Sequence, residues 1–299
     1  MTPLPIINDA GTANLAAGPL TGIWDAFPPR YKTVPDPETS EHARMGFFTD
    51  TTVCIGCKAC EVACKQWNQL PSDGFQFTGR SYDNTTMLSE STWRHVSFKE
   101  QFEGGRSRWL MMSDVCKHCE SAPCEQSCPT GAIIYNEFGD VYVQPDICNG
   151  CGYCVAACPF GVIGRSEDDG HVHKCTLCYD RQRDDFTPAC AKACPTASIQ
   201  FGPVEELREK ARERVNALHR LGRNEAYLYG ADSVGDYGPL NAFFLLEDHP
   251  NEYNLPENPP QPLKDQRKRY ALSLLTGLAV TALSALFLAR GEGKRSHAG

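Results

Sequence analysis

Apolar and polar positions alternate clearly in only a few stretches of this chain. Residues 92–101 and 106–112 are rich in β-branched, aromatic and large apolar side chains, and Glu103, Gly104 and Gly105 separate them. That pattern predicts a β-hairpin. Residues 131–143, GAIIYNEFGDVYV, predict a second one, two short apolar strands around residues 136–140. A helical period follows: Val204, Leu207, Ala211, Val215, Leu218 and Leu221 recur at steps of three and four, with Pro203 before the start and Gly222 past the end. Its apolar face is expected to cover the cysteine-rich domain, and its charged face to meet water. Residues 248–262 carry five prolines and read as an extended strap outside the core. Residues 1–45, rich in Pro, Ala and Gly, read either as an extended arm laid on another surface or as a plain tail.

The last apolar run is of another kind. Residues 271–289 contain no charge, and as a helix they would reach roughly 28 Å, close to the thickness of a bilayer's hydrocarbon core. Lys264, Arg267, Lys268 and Arg269 precede the run; Arg290, Lys294 and Arg295 follow it. A membrane span is therefore expected over residues 267–291, against the alternative of a buried soluble helix. With basic residues on both sides, the positive-inside rule gives no orientation. Ser273, Gly277, Thr281, Ala285 and Ala289 form a stripe of small side chains at every fourth position. Such a stripe lets helices approach closely in a membrane and suits packing on a separate membrane subunit; in a plain anchor it would be incidental. The helix has no His or Met, so any haem nearby must draw both axial ligands from a partner.

Composition changes this picture in one respect. The formal net charge of −8 argues against a nucleic-acid-binding surface. Of 299 residues, 16 are cysteine, about 5%, below the roughly 8–10% of small disulfide scaffolds. The cysteines fall in four groups of four, each ending in C-x3-C: Cys54, Cys57, Cys60 and Cys64; Cys116, Cys119, Cys124 and Cys128; Cys148, Cys151, Cys154 and Cys158; Cys175, Cys178, Cys190 and Cys194. CPTGAI, CPFGVI and CPTASI, starting at Cys128, Cys158 and Cys194, are three copies of one phrase, and Cys64, followed by Lys65, breaks it.

Groups one and three have the C-x2-C-x2-C-x3-C spacing of two-cluster ferredoxins, in which three thiolates wrap one [4Fe–4S] cube and the fourth reaches its neighbour. Gly56, Gly150 and Gly152 suit the tight wrapping. Groups two and four lengthen the gap before the third cysteine and lose no ligand. Crossed ligation then implies four clusters. Cluster 1 takes Cys54, Cys57, Cys60 and Cys194, and cluster 2 takes Cys64, Cys175, Cys178 and Cys190. Cluster 3 takes Cys116, Cys119, Cys124 and Cys158, and cluster 4 takes Cys128, Cys148, Cys151 and Cys154. Structural zinc also uses C-x2-C pairs, but four ligands in two pairs leave the third C-x2-C and the trailing C-x3-C-P unexplained. Lys58, Lys117, His118 and Lys174 lie in or beside the motifs; positive charge there would favour a reduced cluster, although solvated side chains are the simpler reading of each. His171 and His173 read as surface residues. No nucleophile–base pair, phosphate loop or carboxylate dyad is visible, so the chain is expected to carry electrons while substrate chemistry occurs elsewhere. No secretory signal is read: the first basic residue is Arg30, and residues 14–24 are broken by Gly and Pro. That leaves the chain cytoplasmic or exported on a partner.

TTVCIGCKACEVACKQWN, CNGCGYCVAACPFGV and VHKCTLCYDR, with the softer features YDN at 82–84, LPENP at 255–259 and the single terminal helix, make residues 48–290 resemble a known family. It is the iron–sulfur (beta) subunit of membrane-bound respiratory formate dehydrogenases, within the wider group of four-cluster subunits of molybdopterin oxidoreductases. The long amino-terminal arm and the short tail at 292–299 depart from the family pattern. The resemblance implies a catalytic partner with molybdenum or tungsten bis-pterin and an integral membrane subunit with haem b (a cytochrome b) that passes electrons to quinone. It also implies clusters 1 to 4 in order from catalytic subunit to membrane, and a soluble domain on the outer face of the cytoplasmic membrane, co-exported with a twin-arginine partner. Other readings are the equivalent subunit of a nitrate or sulfur-compound reductase, an anchored polyferredoxin, and a zinc scaffold. The expected architecture is α+β: two ferredoxin-like two-cluster modules, residues 116–164 inserted into 46–70 plus 165–203. A hairpin region at 71–115, a covering helix and strap at 204–266 and the C-terminal transmembrane helix complete it.

Overall fold

The computed structural model describes residues 42–75, 82, 84–103, 105–259 and 266–295. The expected amino-terminal arm lies outside the described residues as far as residue 41. So do Asp83, Lys264, residues 296–299 of the tail and the side chains of the other basic residues flanking the apolar run. In chain order the main elements are β1 (Met45–Asp50), α1 (Ala59–Asn68), β2 (Arg94–Glu103), β3 (Arg106–Val115), α2 (Pro123–Ser127), β4 (Ile133–Tyr135), β5 (Val141–Val143) and α3 (Tyr153–Ala157). Then come β6 (Gly164–Arg165), β7 (Val172–His173), α4 (Tyr179–Arg183), α5 (Ala189–Lys192), β8 (Ile199–Pro203), α6 (Val204–Arg220), β9 (Tyr227–Tyr229), β10 (Ala242–Leu246) and α7 (Gln266–Arg295).

Three antiparallel hairpins are local. β2 and β3 pair over ten residues each, from Arg94 opposite Val115 to Glu103 opposite Arg106; β4 pairs with β5, and β6 with β7. The remaining sheet is not local: its order is β8–β1–β10–β9, with β1 antiparallel to β8 and parallel to β10. Every residue of β10 is buried. Ala242, Phe244 and Leu246 join Phe47 on the cysteine-rich side, whereas Phe243 and Leu245 join Phe48 against α6. A strand buried on both faces has no alternation to read, which is why β10 escapes the sequence pattern.

α6 lays Val204, Leu207, Ala211 and Leu218 on that second face of the sheet, so it covers the sheet and not the cysteines directly. Leu221, counted on its apolar face from the sequence, is instead 75% exposed, because the helix ends at Arg220 and turns through Gly222 at φ 83°. Arg214 of α6 donates to Asp50 at 2.8 Å, and Asp50 accepts the Thr52 N–H at 2.9 Å, which fixes the chain just before Cys54. The Pro-rich stretch is not the extended strap expected outside the core. Pro250–Tyr253 forms a 3-10 turn, and Tyr253 and Leu255, each 2% exposed, enter the main core.

α7 spans thirty residues, and its side chains from Leu272 to Leu286 are all exposed. Among the described residues no helix is long and apolar enough to cross a membrane. The described side chains of α7 cover residues 270–286, roughly 26 Å of helix.

Candidate metal centres

All four cysteine groups open with the same backbone twist. The second residue after the first cysteine is left-handed in each: Gly56 (φ 64°), His118 (44°), Gly150 (67°) and Leu177 (55°). In groups one and three, the residue after the second cysteine is left-handed as well, Lys58 at 60° and Gly152 at 76°. Left-handed residues among extended or right-handed ones turn successive N–H groups to one side, making a concave anion nest. The Leu177 N–H accordingly lies 3.3 Å from Cys175 Sγ.

The repeated phrase after the trailing cysteines has a related cause. Its fourth residue is left-handed each time, at Gly131 (φ 69°), Gly161 (60°) and Ala197 (52°). The turn aims N–H groups back at sulfur: Ile133, Ala132 and Thr130 at Cys128, Val162 and Phe160 at Cys158. Proline at the second position has no N–H to lose there. Ala197 stands where the other copies have glycine, and its side chain is exposed. A left-handed non-glycine costs about 1–2 kcal/mol, while glycine loosens the unfolded chain by about 0.4–1 kcal/mol. Ala197→Gly is therefore expected to stabilise the cluster-loaded protein by about 0.5–1 kcal/mol, read as a higher midpoint in denaturant.

Sixteen free thiols result, and the fold sorts them across motifs. Cys54, Cys57, Cys60 and Cys194 line one cavity of about 300 Å³, together with Ser113 and Ser198. Cys116, Cys119, Cys124 and Cys158 line a second of about 300 Å³, with Lys117 and His118. Cys128, Cys148, Cys151 and Cys154 line a third of about 260 Å³. The other four, Cys64, Cys175, Cys178 and Cys190, are all buried and repel one another electrostatically. Each set takes three cysteines from one group and the trailing cysteine of another. The helices bearing the trailing ends pack in the same combinations, α1 with α5 and α2 with α3. Among the described residues no three His, Cys, Asp or Glu side chains converge as a single metal ion requires. In three of the sets the thiols surround voids, a fit for a multi-atom cluster gripped at its corners.

Exposure is graded along the sets. Cys57 and Cys151 are exposed, so the first and third cavities reach the surface, whereas the set of Cys64, Cys175, Cys178 and Cys190 is wholly buried. Burial pushes thiols up: Cys60 to about 11, Cys154 to about 11, Cys178 to about 12, and Cys119, Cys124 and Cys175 well above the ordinary value. Iron ligation at these positions must release protons. Cys128 goes the other way: burial raises it, but the Thr130 hydroxyl and the three N–H groups named above outweigh that.

Several basic side chains lie inside, contrary to the solvated reading. Lys117, His118 and Lys174 are 1%, 0% and 2% exposed. Lys117 donates to the Asp114 carboxylate and, at 2.8 Å, to the Val115 carbonyl; Lys174 donates to the carbonyls of Val141 and, at 2.9 Å, Cys175. Burial would lower the Lys174 pKa, but the thiols of Cys116, Cys124 and Cys175 and the carboxyl of Asp140 raise it, so it stays charged. Burial, then Lys174 and Arg94, hold His118 well below the usual imidazole range and keep it neutral. Arg94, to which no sequence motif points, is 1% exposed. Lys58 is only partly buried and pairs with Glu61 at 3.2 Å. His173, partly exposed, contacts Asp169 at 2.8 Å and no cysteine. A signal for the buried lysines was available: each stands next to a cysteine that the cavity draws inward.

Thiol sets shared between motifs around cluster-sized voids define a ferredoxin-type electron carrier. Residues 107–204 match one family described as a 4Fe-4S dicluster domain, and residues 53–132 match another of the same description. Two such domains and sixteen cysteines give four [4Fe–4S] clusters. The protein is 39% identical to the formate dehydrogenase iron–sulfur subunit of Haemophilus influenzae over 261 residues, 84% of this sequence and 82% of that one. It is 42% identical to the formate dehydrogenase-O iron–sulfur subunit of Escherichia coli K12 over 214 residues, 70% of each. With the B subunit of the E. coli anaerobic dimethyl sulfoxide reductase it shares 38% over 168 residues, 56% of this sequence and 77% of that one. The chain belongs to the family of formate dehydrogenase iron–sulfur subunits.

Proposed function

We propose that the chain conducts electrons from a formate-oxidising catalytic subunit, carrying a molybdenum or tungsten pterin, to a membrane partner that delivers them to quinone. One observation carries this reading: four thiol sets, each shared between two motifs, with the outer sets reaching the surface and an inner one sealed. The clusters supply one-electron redox chemistry when bound. The chain's own residues fix their places. Cluster 1 falls to Cys54, Cys57, Cys60 and Cys194; cluster 2 to Cys64, Cys175, Cys178 and Cys190; cluster 3 to Cys116, Cys119, Cys124 and Cys158; cluster 4 to Cys128, Cys148, Cys151 and Cys154. The modules then nest, groups two and three within groups one and four. Exposed Ile55 and Val62 stand near cluster 1, and exposed Ile147 and Tyr153 near cluster 4, apolar ground for a partner at each end. The chain contributes no substrate-converting site of its own. Purified anaerobically in detergent with its partners, it should hold about sixteen irons, four per cubane, and its absorbance should bleach on adding formate. Zinc in place of iron, or bleaching by another donor but not formate, would refute respectively the clusters and the substrate.

α7 is the proposed anchor, a single span in the cytoplasmic membrane with the soluble part on its outer face. Support comes from the uncharged run at 271–289 and from leucines exposed all round the helix. Thr276, Thr281 and Ser284 also turn their hydroxyls to carbonyls of their own helix, at 2.9–3.0 Å, as lipid demands. Ser273, Gly277, Thr281 and Ala285 would face the haem b subunit, the side chain of Ala289 lying outside the described residues; a Cβ on Gly277 meets nothing within 4 Å, so that face is open. A chain ending before Gln266 should leave the membrane fraction with its iron intact. Gly277→Leu with Ala285→Leu should release the membrane subunit in mild detergent; unchanged co-purification would refute the packing face.

A further inference from the structure

Arg94, the first residue of β2, is among the largest fully buried side chains. Its guanidinium carbon lies 4.7 Å from the centre of the Phe47 ring, and Nη1 donates to Ser113 Oγ at 3.1 Å and to the Ser113 carbonyl at 3.4 Å. Nε and Nη2 have no hydrogen-bond partner. Among the described residues no carboxylate pairs with it, whereas buried Lys117 has Asp114 and buried Arg208 has Glu205. A guanidinium cannot shed its charge, and leaving one buried without a counter-ion is strongly unfavourable. What surrounds it is sulfur: Cys190, Cys60, Cys175 and Cys64 are its electrostatic neighbours. Ser113 Oγ in turn sits 3.2 Å from Cys60 Sγ. Cys60 lines the first cavity, and Cys64, Cys175 and Cys190 belong to the sealed set.

We propose that Arg94 is a positioning residue that serves as the shared counter-ion of clusters 1 and 2 and holds both at a higher reduction potential. The inference rests on the cluster assignment above. A fixed cation between two sites in a low-dielectric interior favours the extra electron on either, and its unpartnered Nε and Nη2 find acceptors in the cluster sulfurs. Lys174 instead acts on Cys116 and Cys124 of cluster 3 and shares Cys175 of cluster 2 with Arg94.

The test is a redox titration of the intact detergent-solubilised complex followed by electron paramagnetic resonance, in the unaltered protein, Arg94→Gln and Arg94→Lys. In Arg94→Gln, two of the four midpoint potentials are expected to fall by at least the equivalent of tenfold in the reduction equilibrium, about 59 mV for one electron, while two stay. Arg94→Lys keeps the charge and should keep all four potentials within that margin. A fully loaded Arg94→Gln protein with no potential moved, or with all four moved together, overturns the proposal. If Arg94→Gln does not retain iron, Arg94→Lys decides: preserved potentials uphold the proposal, and a tenfold fall overturns it. An iron count well below sixteen in the unaltered protein would sink the parent assignment instead.

Discussion

Replacing Cys194 by serine should cost the protein the cluster beside Cys54, Cys57 and Cys60, more than 130 residues away in sequence, and leave the cluster of Cys175, Cys178 and Cys190 in place. Cys194 lines the first cavity with those three and with Ser198, and its hydroxyl neighbour Thr196 lies 3.8 Å from its sulfur. Iron should drop from about sixteen to about twelve per chain, or only to about fifteen where a three-iron remnant survives. A double variant sharpens the result. Cys54→Ser with Cys194→Ser should lose no more than one cluster, since both sulfurs serve the same cube, whereas Cys54→Ser with Cys64→Ser should lose two. Ligation within each motif would reverse the two outcomes. Iron analysis together with the count of paramagnetic centres in the reduced protein separates the cases.

Gly150→Ala is expected to be the most damaging single-methyl change. Gly150 lies between Cys148 and Cys151 at φ 67°, and a Cβ there would stand 1.9 Å from the Gly170 carbonyl oxygen. The left-handed backbone costs alanine about 1–2 kcal/mol and the overpacking about 1–3 kcal/mol. The sum, about 3 kcal/mol, is a large share of the roughly 5–15 kcal/mol that stabilises a typical domain. Two β-strand ends and the nest over Cys148 would have to move, so the cluster of Cys128, Cys148, Cys151 and Cys154 should be lost along with a fall in melting temperature. Gly152→Ala is the control: φ is 76°, but a Cβ there meets nothing within 4 Å. It should cost only the backbone share, about 1–2 kcal/mol, and retain its iron. Equal damage from the two substitutions would mean that the Gly170 contact is unimportant.

For three of the four sets, the cysteines that line one cavity are those the spacing groups, because ligand spacing is itself a sequence property and the trailing C-x3-C points to a neighbour. The hairpins are legible too, since an exposed antiparallel pair leaves its alternation in the residues, as at 92–112. β10 is not: AFFLL is buried on both faces, and its parallel partner β1 lies almost two hundred residues earlier. Lys58, His118 and Leu177 leave no mark of their left-handed backbone, because nothing in those side chains asks for it. Arg94 looks like any polar residue opening a strand, and only the packing of Phe47, Ser113 and Cys60 around it discloses that it is enclosed. Leu221 errs in the other direction, an apolar residue in phase with a helix that has already ended.

The central strand has a temporal consequence. β1 emerges from the ribosome early, yet both of its neighbours, β8 and β10, are synthesised at least 149 residues later (residues 199 and 242 against 50). Until residue 246 has been translated, the strand preceding the first thiols keeps an unsatisfied border, and the interior that β10 will seal stays accessible. A polypeptide truncated before AFFLL would leave β1 with that border permanently unpaired and the core it covers ajar.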